Sequence, residues 1–131
     1  MYLENVRKLF AYYRSLGEQA MQQVTDEQLF IQPNETSNSI AIIVQHLTGN
    51  MLSRFSNFLT EDGEKEWRTR DDEFEIHHYS KQQVMALWEK GWKCFLDAMG
   101  SLTEDDLLKT IYTKSFRNSS PNFPFSAVLA D

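Results

Sequence analysis

His46 is the residue with the clearest capacity for metal chemistry in this chain. It lies in the segment SIAIIVQHLTGNMLSRF, residues 39–55, where apolar residues recur at spacings of three and four. A neutral imidazole on such a helix can bind a divalent metal through one ring nitrogen while an outer carboxylate or carbonyl holds the other. A partly buried, hydrogen-bonded histidine is a commoner reason for a lone imidazole at the border of an apolar stripe. The residues alone leave both interpretations open.

The other two histidines, His77 and His78, are adjacent in the sequence and precede Ser80, a predicted helix cap. Neighbouring side chains point in different directions, so a metal shared by this pair is geometrically awkward. The spacing favours a solvated loop before a helix.

Cys94 is the only cysteine, so no intrachain disulfide is possible and a reducing compartment is the better fit. A reactive thiolate needs nearby positive charge, which Lys90 and Lys93 offer only as surface candidates. We therefore interpret Cys94 as a small packed residue. The acidic run DDEFE, residues 71–75, is typical of solvation or salt bridging along a connection rather than of general acid and base catalysis.

Three long amphipathic helices must position these residues. The first carries an apolar stripe at spacings of three and four, formed by Leu3, Val6, Phe10, Tyr13, Gly17, Ala20 and Val24. The second is predicted to bury Ile40, Val44, Leu47, Met51 and Phe58, and to begin at Ser37 or Ser39. The third follows Ser80 and carries Val84, Leu87, Gly91, Phe95, Ala98 and Leu102, with Gly100 placed to end it. The pattern predicts an all-α helical bundle.

A weak internal repeat suggests that the two halves are built alike. VTDEQL, residues 24–29, follows the first helix, and LTEDDL, residues 102–107, follows the third. TDEQ and SKQQ, at residues 25–28 and 80–83, are capping-box patterns. The charged connection, residues 60–79, is predicted to be anchored by Trp67 and Phe74. After Ile111 the two prolines of the tail, Pro121 and Pro124, forbid the regular fourth helix that the repeat predicts. We predict a bundle domain over residues 1–112 and an irregular tail over 113–131.

Composition excludes several classes of function. The chain has 131 residues and a formal net charge of -6, with no run of Lys or Arg, which argues against nucleic acid and anionic membrane surfaces as partners. The amino terminus has no signal-peptide pattern, and the longest aliphatic run, Ile40 to Val44, is too short to cross a bilayer. A cytoplasmic location is expected. The unpaired apolar stripes favour a homodimer.

Residues 1 to about 112 resemble the DinB-like superfamily of helical-bundle metalloproteins. The segments that carry the resemblance are YLENVRKLF, DEQLFIQPNETSNSIAIIVQHLTGNMLSRFSNFLTEDGEKEWRTRDDEFE, and W-x-x-G-W with SLTEDDL in and after the third helix. The resemblance implies a four-helix bundle, usually paired into dimers, that binds nickel or zinc through three histidines. Relatives of this kind include thiol-dependent transferases that use bacillithiol or mycothiol.

Residue by residue, the resemblance assigns only His46, in QHLTGN, as a metal ligand. The other two ligands, a His-Tyr-x-x-His pattern expected from about residue 117, have no match here. The resemblance therefore implies a DinB-like bundle whose last long helix is missing or replaced and whose divalent-metal site is incomplete within one chain. Two hypotheses follow: a non-catalytic module that dimerises or binds a small molecule, and a metal-dependent transferase or hydrolase whose site a partner chain completes. No catalytic residue, substrate or organic cofactor is assigned.

Overall fold

Three long helices account for most of the chain. The computed structural model describes residues 2–75, 77, 79–112 and 122–124. The helices are α1 (Tyr2–Gln22), α2 (Ile40–Phe55) and α3 (Lys81–Gly100). Short 3-10 turns lie between and after them at Gln28–Phe30, Asp71–Phe74 and Glu104–Leu108. This architecture confirms the predicted all-α bundle with three long helices.

The core forms where α1 and α2 pack against α3. Phe95 of α3 lies between Phe10 of α1 and Phe55 of α2, with ring centroids 4.7 Å apart on each side and near-perpendicular planes. Such edge-to-face contacts suit the quadrupoles of aromatic rings and contribute beyond their buried area. Trp88 and Trp92 of α3 are also buried. Since α3 contacts both other helices, it is the central element of the bundle.

Side-chain caps fix where the second and third helices begin. Ser39 accepts a hydrogen bond from the backbone N–H of Ile42 at 3.2 Å, so Ser39 is the cap and the alternative, Ser37, is not. Ser80 and Gln83 form the predicted capping box, with bonds of 3.2 and 2.8 Å between each side chain and the other's backbone. These contacts satisfy N–H groups that a helix start otherwise leaves unpaired.

The internal repeat has a structural counterpart after α1 and after α3. Thr25 and Gln28 exchange hydrogen bonds of 2.9 and 3.2 Å, and Thr103 and Asp106 form the equivalent box. In both cases the box opens a short 3-10 turn. Asp106 also pairs with Lys109 at 2.6 Å. That bond, together with the Thr103 backbone, holds the pKa of the Asp106 carboxyl below its ordinary value.

Several predicted stripe positions are exposed rather than buried. Leu47 is 37% exposed, and Tyr13 and Ala20 of α1 lie in contact with solvent. Phe58 is buried but lies beyond the end of α2. The predicted burial was wrong at Tyr13, Ala20 and Leu47 because both helices carry apolar residues over more than one face, and three helices cover only one of them. We call the uncovered residues the open apolar face: Tyr2, Leu9, Tyr12, Tyr13, Leu16, Ile43 and Leu47.

Two three-residue strands follow the helices. These strands were not predicted from the sequence. β1 (Thr110–Tyr112) pairs antiparallel with β2 (Asn122–Pro124), with Ile111 opposite Phe123. Strands this short show no usable alternation, and proline is tolerated at such an unpaired edge. The remainder of the predicted irregular tail, including Phe116 and Phe125, lies outside the described residues.

Within the part of the chain that the structure describes, no helix has the length and apolar character needed to cross a bilayer.

Candidate metal-ligand site at His46

Arg68, and not a large aromatic residue, anchors the connection between α2 and α3. Its side chain is only 2% exposed, whereas Trp67 is 58% exposed and Phe74 is also exposed. The predicted anchors Trp67 and Phe74 were therefore wrong as buried residues. A buried guanidinium is stable only if a carboxylate and further hydrogen bonds compensate for lost hydration. The connection supplies that carboxylate five residues later.

Glu73 pairs with Arg68 through both oxygens of its carboxylate. Arg68 Nε donates to Oε2 at 2.9 Å and Nη2 donates to Oε1 at 3.0 Å. The Glu73 side chain is 10% exposed, so this is a bidentate pair largely removed from water. Two parallel N–H···O bonds fix the carboxylate in position and orientation, because the guanidinium is planar and rigid. The acidic run was predicted to salt-bridge along the connection, and Glu73 does so from a buried position.

Glu73 lies over one patch of α2 made by residues 45, 46 and 49. Gln45 Nε2 donates to the backbone carbonyls of Glu73 at 3.0 Å and Glu75 at 3.2 Å, which fixes the turn on the helix. Gly49 lies beneath the carboxylate, where an added Cβ would be 2.5 Å from Cδ of Glu73. The carboxylate reaches α2 only because residue 49 has no side chain.

His46 completes this cluster at the edge of the bundle. Its Nδ1 is 3.1 Å from Oε1 of Glu73, and its ring lies 5.0 Å from the ring of Phe74. The side chain is 39% exposed. Among the described residues no hydrogen bond is made by Nε2 of His46. The imidazole is thus held at one nitrogen, while the other is available to a ligand.

A cavity of about 250 Å³ adjoins the Arg68 and Glu73 pair. Its walls include Thr48 of α2 and Trp67, Arg68, Glu73 and Tyr79 of the connection. His77 also lines this cavity, whereas His46 does not.

Among the described residues, neither of the other sequence candidates, His77 and Cys94, contacts His46. His77 Nε2 is 3.2 Å from the backbone oxygen of Asp72, and its ring stacks on Tyr79 at 5.3 Å. His78 lies outside the described residues. Cys94 is half-buried, with Sγ 3.6 Å from the Ser56 hydroxyl, in agreement with a packed residue. In residues 2–75, 77 and 79–112, no three His, Cys, Asp or Glu side chains are arranged to hold a metal.

The donor set around His46 therefore fits one ligand of a divalent metal. A neutral imidazole with its second nitrogen on a carboxylate is the usual form of a metal-binding histidine. Stable zinc sites use three or four protein ligands, so a zinc ion at His46 would need further ligands from beyond the described residues. The sequence analysis named His46 as a candidate but missed Glu73, Arg68 and Gly49. The available signal was a glutamate in a charged run with an arginine five residues before it.

A comparison with known protein families matches most of the chain. The family model described as "Protein of unknown function (DUF1572)" matches residues 1–120. No curated protein sequence matches the chain. The match includes all three long helices, the connection that carries Arg68 and Glu73, and β1. The chain therefore belongs to the DUF1572 family of proteins of unknown function.

Proposed function

We propose that this protein is a member of the DinB-like superfamily that binds a divalent metal, nickel or zinc, with His46 as one ligand. The observation that carries the proposal is the state of the His46 ring. It is partly exposed, its Nδ1 is engaged by a buried carboxylate, and its Nε2 has no hydrogen-bond partner among the described residues. The motif QHLTGN, in which the resemblance places a metal ligand, supports the same residue.

Within one chain we propose a helical-bundle module that contributes a single preorganised ligand. The second candidate is a metal-dependent transferase or hydrolase. It is favoured by the preorganisation of His46, which a purely structural histidine at 39% exposure does not need. A bound divalent ion supplies Lewis acidity to a water or thiol at such a site. The described residues would position the ion through His46, and the other ligands would come from a second chain or from residues beyond the described part.

The test is a calorimetric titration of zinc and nickel into tag-free, metal-stripped protein. We expect saturable binding that weakens by more than roughly tenfold in His46→Ala, since loss of a ligand costs at least as much as loss of its outer partner. His77→Ala is the matched control and should bind as the unmodified chain does. Binding that follows His77, or no binding above a surface background, would contradict the proposal.

We also propose that two copies associate through the open apolar face. The support is that Leu9, Tyr12 and Leu16 of α1 and Ile43 and Leu47 of α2 are large, exposed and spaced to lie on one side of each helix. Apolar residues grouped in this way along a helix mark association surfaces more often than single exposed ones do. In Leu47→Glu, sedimentation should show at least a tenfold weaker dimer at unchanged helix content, because a charge cannot be desolvated there. A dimer insensitive to this change would place the interface elsewhere.

A further inference from the structure

We infer that Glu73, held by Arg68, is a positioning residue that fixes the proton of His46 on Nδ1 and makes Nε2 the metal-binding atom. The metal half of this inference rests on the proposed function, whereas the proton half does not.

The carboxylate can only accept hydrogen bonds. Both of its oxygens already accept from Arg68 in a bidentate contact. The 3.1 Å contact with His46 is a hydrogen bond only if Nδ1 carries the hydrogen. A neutral His46 with a proton on Nδ1 has its lone pair on Nε2, which is the atom that binds metals.

The carboxylate is also prevented from moving away. Arg68 holds both oxygens, and Gln45 holds the backbone carbonyls of Glu73 and Glu75. Gly49 leaves room for the carboxylate, and a larger residue there would occupy its place. Since Arg68 and Gln45 hold Glu73 in place, the acceptor for Nδ1 of His46 is positioned before any ligand arrives. Preorganisation of this kind reduces the entropy lost on binding.

A structural salt bridge alone does not require this arrangement. Arg68 keeps its two bonds to Glu73 and its 3.7 Å ion pair with Glu64 whether or not residue 46 is a histidine. The additional contact costs Glu73 nothing but constrains His46. Carboxylates in this position fix the tautomer of a metal-binding histidine and raise its basicity, and their loss lowers metal affinity by about 10–100-fold.

His77 provides an internal contrast with His46. Its contact to the backbone oxygen of Asp72 is made through Nε2, at 3.2 Å. A carbonyl oxygen also only accepts, so the same reasoning puts the proton of His77 on Nε2. The structure therefore assigns opposite tautomers to these two histidines of one chain.

The experiment is a long-range ¹H–¹⁵N correlation spectrum of metal-free protein at about pH 8.5, where imidazoles are ordinarily neutral. His46 should show a protonated Nδ1 and an unprotonated Nε2, and His77 should show the reverse. In the double variant Arg68→Met with Glu73→Leu no carboxylate faces Nδ1, so the proton of His46 is no longer held there and should redistribute toward Nε2. Asp71→Asn is the matched control, because among the described residues its side chain contacts neither ring, and neither ring should change.

The outcomes separate this inference from the proposed function. A proton on Nε2 of His46 in the unmodified chain, or a His46 spectrum unchanged in the double variant, would overturn the inference. The unmodified chain tests the tautomers even if the double variant does not fold. If zinc binds at His46, the double variant should weaken binding about 10–100-fold while Asp71→Asn should not. The predicted tautomers without any zinc binding would refute the proposed function and still support the role of Glu73 in placing the proton.

Discussion

Replacing Arg68 with alanine is expected to lower the free energy of unfolding by about 3–5 kcal/mol, the usual cost of removing one partner from a buried ion pair. The guanidinium is 2% exposed and the Glu73 carboxylate 10% exposed, so the remaining charge would have little access to water. Denaturant unfolding followed by circular dichroism measures the change. If the slope of the unfolding free energy against denaturant concentration is unaltered, stability alone has changed.

The control for this prediction removes both charges together. Arg68→Met with Glu73→Leu replaces the pair by apolar side chains of similar volume, which is often nearly neutral for a buried pair. The double variant should therefore be more stable than Arg68→Ala, although it has lost the same hydrogen bonds. A loss below about 1 kcal/mol in Arg68→Ala would be typical of an exposed pair and would contradict the burial on which the site depends.

Replacing Gly49 with alanine is expected to destabilise the protein by about 1–3 kcal/mol, the usual range for overpacking. Glycine inside a helix is ordinarily less favourable than alanine by about 1 kcal/mol, so helix propensity alone predicts the opposite sign. The added methyl group would collide with the Glu73 carboxylate. Because Arg68 holds that carboxylate, the collision cannot be relieved by a simple rotation of the glutamate.

Two comparisons isolate this collision. Gly100→Ala adds a methyl group at the end of α3, where no atom lies within 4 Å, and is expected to be neutral or to stabilise by up to about 1 kcal/mol. In a Glu73→Ala background the methyl group at residue 49 has room, so Gly49→Ala should cost little there. Equal costs in the two backgrounds, measured by denaturant unfolding, would show that Gly49 and Glu73 do not interact.

Local features of the fold could be predicted from the sequence. The capping box of Ser80 and Gln83 involves residues three apart, so the sequence carries all the information that the contact needs. The helix stripes were predictable for the same reason where they face α3. Leu47 was not, because its exposure depends on which other helix is present to cover it.

The candidate site was only half predictable. His46 was visible as a polar residue in an apolar helix, but its partner Glu73 is 27 residues away in a run of similar charged residues. Trp67 and Phe74 were predicted as anchors because they are large, but both are exposed. Arg68 is buried instead, because its hydrogen bonds to Glu73 offset the hydration that the guanidinium loses. Gly49 shows no local reason for being glycine. Its role appears only once the connection folds back onto α2.

The most direct test of the central claim is anomalous scattering from crystals of the complete protein grown with zinc. The account predicts a zinc peak about 2.0–2.1 Å from Nε2 of His46, with Nδ1 still bonded to Glu73, and it would identify the other ligands wherever they come from. Zinc bound at Nδ1 of His46, or occupied sites elsewhere with none at His46, would contradict the account.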